Sequence, residues 1–243
     1  MALPKRVSYM SPRGIFRYPS LSTPDYGNEN FPKPDGEFKV ALICPLDDAT
    51  NALITKLMPV WDEAISLGEK AFASLAIPIR KKLGKLDPQM FYVEEYDPET
   101  EEPTGNVIFK FKTKYKITDK KTKEVRYNRI GLFDAKGKSM EYVDETGKGT
   151  GKYPAIYGGS VGKVAFTARD YFVAGNGMAG LTLTLSGVQV IDLVSAGARS
   201  ASSYGFGEED GYEASDSYGG VDDTTGLPDG GATGSTNGNP EDF

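Results

Sequence analysis

The chain has 243 residues, a formal net charge of −6, no histidine and one cysteine. The lack of histidine excludes Ser-His-Asp and Cys-His catalysis and histidine-containing zinc sites, and a single cysteine excludes intramolecular disulfides and thiolate metal clusters. No apolar N-terminal segment resembles a signal peptide, and no apolar run reaches the roughly 18 residues that a membrane span requires, so we expect a soluble intracellular protein without membrane contact.

The first half of the chain predicts two strands and one helix. Residues 15–18 suit a short strand, and residues 36–43 alternate apolar and polar side chains as a half-buried strand does. Asp47 or Asp48 can then cap a helix. Apolar residues recur at helical spacing over about 25 positions, so we predict one inserted helix, which Pro59 either kinks or divides in two.

The second half predicts strands separated by turns. It begins with a basic, polar linker at 81–89. Gly175-Asn176-Gly177 suits a hairpin turn, and Gly187 interrupts an alternating strand as a β-bulge does. One helix among five to seven strands, all expected to be antiparallel, predicts a mainly β protein with an OB-fold-like barrel, although periodicity alone does not exclude a sandwich. The predicted strands are 90–95, 106–117, 124–133, 161–173 and 179–194.

The strand predicted at 106–117 gives the strongest indication of function. Apolar residues occupy one face and lysines the other, because successive side chains of a strand point to opposite faces. Lysines within about 20 Å repel one another, which argues against a purely stabilising role. The row is either a solvated, edge-protecting face or a binding surface for a phosphate backbone, and we favour the second interpretation. Its members are Lys110, Lys112, Lys114 and Lys116.

Basic residues and tyrosines are mixed on the later strands. This mixture suits single-stranded nucleic acid, since cations neutralise phosphates and aromatic rings stack on any base for about 1–3 kcal/mol each. A single tyrosine is nevertheless more often a core or rim residue. Lys5 lies in an N-terminal basic segment that is either a further binding arm or a segment for strand addition. The other candidates for DNA binding on these strands are Arg126, Tyr127, Arg129, Lys163, Arg169 and Tyr171.

Motifs for nucleotides, metals and catalysis are missing. Gly151-Lys152 and Gly162-Lys163 lack the other residues of a Walker A loop. The acidic segment 97–102 lacks the spacing of an EF-hand and is better explained as a solvated turn. Because no pair of carboxylates suits catalysis, we predict a protein that is not an enzyme and has no cofactor or metal site.

The C-terminal 36 residues, 208–243, hold ten acidic side chains and no lysine or arginine. They end in Glu241, Asp242 and Phe243. Taking these ten from the 34 acidic residues leaves 24 against 28 basic ones in residues 1–207, a net charge of about +4. We therefore predict a folded basic domain at 1–194, a linker at 195–207 and a disordered acidic tail at 208–243. Such a tail either keeps the protein soluble or competes with a polyanion for the domain.

Seven short segments occur in an order and spacing that form a recognisable set. They are PDYGNE (24–29), GEFKV (36–40), FKFK (109–112), DKKTKE (119–124), DAKGKSM (134–140), Gly158-Gly159-Ser160 and the terminal Asp242-Phe243. Together they resemble the single-stranded DNA-binding proteins of T7-like bacteriophages. The resemblance covers the chain from about residue 24 to its C-terminus, and the ordered set is far more specific than any one segment.

The resemblance implies an OB-fold barrel that binds single-stranded DNA without sequence preference and promotes strand annealing. It places the protein in the cytoplasm of an infected bacterium, in DNA replication, recombination and repair. By position, Lys112 would be a groove lysine, Tyr171 a groove aromatic and Lys5 a residue of the N-terminal arm. Asp35 departs from the family pattern, which has an arginine of the binding surface there.

The resemblance also implies a role for the tail. Phe243, with Glu241 and Asp242, would contact the phage DNA polymerase and helicase-primase, and the tail would screen the DNA groove. A homodimer is compatible with the sequence. Two other functions stay open at this point, a carboxylate–metal nuclease and a structural or adaptor protein that acts through its tail.

Overall fold

A computed structural model of the protein describes residues 7–119 and 121–194. This part of the chain forms eleven strands and two helices. The predicted linker at 195–207 and the predicted acidic tail lie outside the described residues. The strands are β1 (Ser8–Met10), β2 (Gly14–Gly27), β3 (Pro32–Pro45), β4 (Asp87–Gln89), β5 (Tyr92–Tyr96), β6 (Pro103–Lys114), β7 (Lys116–Thr118), β8 (Val125–Tyr127), β9 (Gly131–Phe133), β10 (Val161–Val173) and β11 (Met178–Asp192), and the helices are α1 (Asp48–Ala73) and α2 (Ile77–Leu83).

Five strands close into a barrel in the order β2, β3, β6, β11, β10 and back to β2. This arrangement is the five-stranded barrel of the OB-fold, so the predicted fold class is confirmed. Four of the five pairs are antiparallel, but β6 and β11 run parallel. The expectation of antiparallel pairing throughout is wrong for this pair and for the parallel pairs that β4 and β9 form with β11. A parallel pair needs a long crossover connection, which residues 115–160 and β10 supply.

The remaining strands extend the barrel sheet or stand beside it. β1 pairs with β10, β5 with β6, and β4 and β9 with β11. The predicted strand 124–133 is two short strands, because β8 forms a separate hairpin with β7 while β9 joins the sheet. The predicted strand 106–117 likewise ends at Lys114, and Lys116 belongs to β7. The bulge expected near Gly187 is present, with Ser186 as the extra residue of β11.

The barrel closes between β2 and β10 at two facing glycines. Gly14 lies opposite Gly162 in the only register that these two strands share, over two residue pairs. A Cβ added to Gly14 would lie 2.5 Å from the carbonyl oxygen of Ile43, and one added to Gly162 would overlap the carbonyl oxygen of Gln189. Side chains at these two positions would therefore collide with the neighbouring strands β3 and β11, so the barrel needs glycine at both.

Helix α1 packs on β10 and β11 and completes the core of the barrel. It buries Leu53 and Leu57 among the inward-facing residues of the strands. The Asp47 carboxylate accepts a hydrogen bond of 2.9 Å from the Thr50 amide, so the predicted N-cap is confirmed. The helix continues through Pro59 without dividing, since the packing of its apolar face compensates for the hydrogen bond that proline removes. No helix among the described residues is long and apolar enough to cross a membrane.

Helix α2 is a difference from the sequence prediction. It occupies seven residues, Ile77–Leu83, and overlaps the start of the segment expected to be a linker. Pro78 suits the first turn of a helix, because the missing amide hydrogen would have no partner there. The last turn contains Arg80, Lys81 and Lys82, whose positive charges stabilise the helix because its C-terminal end carries a partial negative charge.

Candidate nucleic-acid interface

One outer face of the barrel joins the lysines of β6 to the threonines of β11. Apart from Thr113, the buried, inward-facing residues of both strands are apolar, and the residues that alternate with them point outward. In the sheet register, Lys112 lies between Lys39 of β3 and Thr184 of β11, and Thr184 lies opposite Thr167 of β10. Neighbouring strands are about 4.8 Å apart, so these four residues form a polar line about 14 Å across.

Two open clefts lie on this face and share Lys112 and Thr182. Their volumes, about 590 and about 720 Å³, lie within the range of about 300–1,000 Å³ that is usual for ligand sites. The first cleft lies between β5 and the β10–β11 hairpin, and its lining includes Met90, Tyr92, Val93, Lys110, Tyr171 and Val173. The second cleft lies between the barrel and the segment 117–129, and its lining includes Lys114, Asn128, Arg129, Thr167, Arg169 and Thr184.

Six of the predicted DNA-binding residues line these clefts. They are Lys110, Lys112, Lys114, Arg129, Arg169 and Tyr171. Lys163 shares the outward face of β10 but lies opposite Gln189, about 20 Å along the strand from Arg169, and lines neither cleft. Arg126 and Tyr127 lie on the β7–β8 hairpin and are exposed outside both clefts. Lys5, Glu241, Asp242 and Phe243 lie outside the described residues, so all these assignments stay predictions.

The cations of the face differ in their partners. Within 7–119 and 121–194, no carboxylate lies within 4.0 Å of Lys110, Lys112, Arg129 or Arg169. Lys114 instead donates to the Asp35 carboxylate at 2.8 Å, and this hydrogen bond lowers the pKa of Asp35. Lys39 donates to Asp25 at 2.6 Å. The positive charge that is available to a ligand is therefore concentrated on four side chains.

Asp25 compensates the charge of Lys39 and so reduces the repulsion between Lys39 and Lys112. Lys39 and Lys112 lie directly opposite each other on adjacent strands, where two positive charges repel. Asp25 accepts hydrogen bonds from both Lys39 and Lys33, at 2.6 and 2.9 Å, and these bonds hold its pKa well below the ordinary value. Lys112 consequently lies beside a lysine whose charge is already compensated.

Tyr171 is the central aromatic residue of the first cleft. A Cβ added to Gly180, which lies opposite it, would be 3.3 Å from the Tyr171 hydroxyl and 2.5 Å from the Gln89 carbonyl oxygen. Because Gly180 has no side chain, there is room beside it for both the Tyr171 ring and strand β4. Burial raises the pKa of the Tyr171 hydroxyl, and the nearby Asp87 carboxylate adds to the shift. The hydroxyl is therefore protonated at neutral pH and can donate a hydrogen bond.

The β7–β8 hairpin is attached to the barrel beside the second cleft. Asn128, which follows β8, donates through Nδ2 to the Thr113 hydroxyl at 3.0 Å. The Tyr115 and Tyr127 rings lie 5.2 Å apart between centroids, and Tyr127 is largely exposed. This contact positions Asn128 and Arg129 at the edge of the cleft.

The acidic segment 97–102 forms the turn that the sequence predicts. The Asp97 carboxylate accepts hydrogen bonds from the amides of Glu99 and Thr100, which lower its pKa. The segment lines neither cleft. No group of three acidic or cysteine side chains suited to a metal ion occurs in the part of the chain that the structure describes.

Several residues of the face were not identified from the sequence. Thr182 and Thr184 alternate with Leu181, Leu183 and Leu185, so the period of two could have placed them on the outer face. Tyr92 had no comparable signal, because it reaches the first cleft through the pairing of β5 with β6. Met90, which lies between β4 and β5, had none either.

Residues 14–193 match the family model described as the single-stranded DNA-binding protein of bacteriophage T7. The chain belongs to this family. It is 30% identical to the single-stranded DNA-binding protein of Enterobacteria phage T3 over 218 residues, 88% of each chain, and 30% identical to that of Escherichia phage T7 over 203 residues, 82% of each chain.

The family likeness extends to structure. The crystal structure of the single-stranded DNA-binding protein encoded by bacteriophage T7 matches with a TM-score of 0.60 at 27% identity, over 79% of this chain and 97% of that one. The resemblance inferred from the seven sequence segments is confirmed. The members of the family are named as DNA-binding proteins, and binding is not an enzymatic function.

Proposed function

We propose that the outer face of the barrel binds single-stranded DNA without sequence preference, in the two clefts that meet at Lys112. The observation that supports this most is the set of four cations without a carboxylate partner among the described residues, next to the aromatic side chain of Tyr171. Cations bind any phosphate backbone, and an aromatic ring stacks on any base, so this combination needs no particular sequence.

The proposal extends to the biological role. Protection of single strands in replication, recombination and repair, and annealing of complementary strands, fit a sequence-independent binder in the cytoplasm of an infected bacterium. The acidic residues 208–243 would compete with DNA for the basic domain and recruit the phage DNA polymerase and helicase-primase through Phe243. This part rests on the composition of the tail and on the family resemblance.

A titration with labelled oligonucleotides tests the proposed function. A dT₃₀ strand and a 30-base-pair duplex are compared with and without Mg²⁺. We expect tight binding of the single strand, weak binding of the duplex and intact DNA under both conditions. Cleavage that depends on Mg²⁺ would support the nuclease alternative, and absence of binding would support an adaptor that acts through its tail. Sedimentation of the same samples distinguishes a monomer from a homodimer.

A further inference from the structure

The two clefts differ in chemistry, although both lie on the same face. The first cleft is lined by apolar and aromatic side chains, with Lys110 and Lys112 as its cations. Its lining includes Met90, Val93 and Val173, which are apolar but 43%, 45% and 43% exposed to solvent. Apolar groups that line an open cleft beside Tyr92 and Tyr171 provide flat, low-polarity contact area for a ring.

The second cleft has more cations than the first and no aromatic ring. Its cations are Lys112, Lys114, Arg129 and Arg169. The carboxylate of Glu37 also lines it, and this carboxylate accepts a hydrogen bond from Lys33 at 2.7 Å. The floor of the cleft has small hydroxyl side chains, Thr167, Thr182, Thr184 and Ser186, and Asn128 adds an amide. Hydroxyls and guanidinium groups donate hydrogen bonds to phosphate oxygens, and short side chains let a backbone approach the sheet closely.

Lys112 and Thr182 line both clefts, so they mark the boundary between the two environments. Lys112 Nζ has no carboxylate within 4.0 Å in the described residues and can therefore bind a phosphate there. A nucleotide bound at this boundary has its apolar base on one side and its charged backbone on the other.

Resting on the proposed function, we infer that the clefts divide a single strand between them. The first cleft receives bases, and the second holds the sugar–phosphate backbone. Tyr92, Met90 and Tyr171 then determine how much the bases contribute to affinity. Arg129 and Arg169 contribute, with the lysines of the second cleft, to how affinity depends on salt.

The test uses two ligands of equal length, dT₃₀ and a fully abasic tetrahydrofuran–phosphate 30-mer, with the full-length chain. The variant Met90→Ser/Tyr171→Leu should bind dT₃₀ about tenfold more weakly, as expected for a lost stacking contact, with an unchanged salt slope. Its affinity for the abasic strand should equal that of the unsubstituted protein. Tyr171→Phe keeps the ring and should bind dT₃₀ normally. Met90→Ser alone, at an exposed position, should show the same selective loss to a smaller degree without a risk to folding.

The variant Arg129→Gln/Arg169→Gln should weaken binding of both ligands by the same factor. It should flatten the slope of log K against log salt by about 1.4, the value for two phosphates of a single strand. Equal losses for both ligands in the Met90/Tyr171 variant, or a larger loss for dT₃₀ than for the abasic strand in the arginine variant, would overturn the division. Failure of the unsubstituted protein to bind dT₃₀ would instead contradict the proposed function itself.

Discussion

Asp35 is a carboxylate beside the proposed binding face, where it pairs with Lys114. Its carboxylate holds Lys114 at 2.8 Å on the edge of the second cleft, while both side chains stay largely exposed, at 42% and 67%. An exposed ion pair contributes little to stability, so its main effect is on charge. A phosphate must compete with Asp35 for Lys114, whereas Lys112, two residues earlier, has no such competitor among the described residues.

Replacing this carboxylate should strengthen binding. We expect Asp35→Asn to lower the Kd for dT₃₀ at low salt and to steepen the salt slope by about 0.7, since one more phosphate is neutralised. Fluorescence anisotropy at several salt concentrations measures both quantities. Glu99→Gln, which removes the same charge from the exposed turn at 97–102, serves as the control and should change neither. An unchanged slope in Asp35→Asn would show that Lys114 does not contact DNA.

Asp25 should make stability depend on acid pH. Its hydrogen bonds to Lys39 and Lys33 lower its pKa in the folded state below the ordinary 3.8. A carboxyl with a lowered pKa stabilises the fold fully above pH 3.8, and this contribution is lost as pH falls through the lowered value. The contribution is at most about 1 kcal/mol, because both lysines are partly exposed.

The measurement compares thermal unfolding of the unsubstituted protein and Asp25→Asn. The variant should have a lower Tm at pH 7, and the difference should shrink as the pH falls below about 3.8. Glu124→Gln, at an exposed position without an ion pair among the described residues, gives the reference. A difference that stays constant down to pH 2.5 would mean that Asp25 stabilises the fold through something other than its charge.

At the scale of secondary structure elements, β6 contributes both to the core of the barrel and to the proposed binding face. Its inward residues Phe109 and Phe111 are fully buried, and its outward Lys110 and Lys112 are exposed. Because the two sets point in opposite directions, the lysines can be changed without disturbing the core.

The double variant Lys110→Ala/Lys112→Ala should flatten the salt slope by about 0.7, the value for one phosphate of a single strand, because only Lys112 of the two lines the cleft that holds the backbone. Binding of dT₃₀ should weaken most at low salt. The Tm of the variant should stay within about 1–2 °C of the unsubstituted protein, since surface substitutions change stability little. Lys136→Ala/Lys148→Ala removes the same charge from two exposed turns outside both clefts and should leave the slope unaltered. If both double variants have the same slope of log K against log salt, the lysines of β6 form a solvated face that does not bind DNA.

Some of these elements were predictable from the sequence, and some of the contacts between them were not. The period of two identified the outward lysines of β6 and the span of β10, and helical spacing with Asp47 identified α1. The parallel pairing of β6 with β11 and the Asp35–Lys114 contact were not predictable in this way. They join residues far apart in the chain, whose approach depends on barrel closure and not on any local pattern.

At the scale of the whole molecule, charge is divided between residues 1–207, with a net charge of about +4, and the acidic residues 208–243. Opposite charges attract, and this attraction is screened by salt, so competition between residues 208–243 and DNA, as proposed above, should depend on ionic strength.

Deleting residues 208–243 should therefore tighten binding of dT₃₀, most strongly at low salt, where attraction between acidic and basic segments is least screened. The measurement is Kd at 20 mM and 300 mM salt for both chains. A full-length chain with its ten tail acids replaced by Asn and Gln should behave like the truncated one. Equal affinities of the full-length and truncated chains at low salt would leave solubility as the function of the tail.

The parallel contact between β6 and β11 also determines when the binding face comes into existence. Phe111 and its register partner Leu183 are about 70 positions apart, and contacts of such long range form late because the intervening chain must first be ordered. The proposed binding face therefore exists only after β11 has paired with β6, because its lysines and its threonines come from strands that are far apart in the sequence.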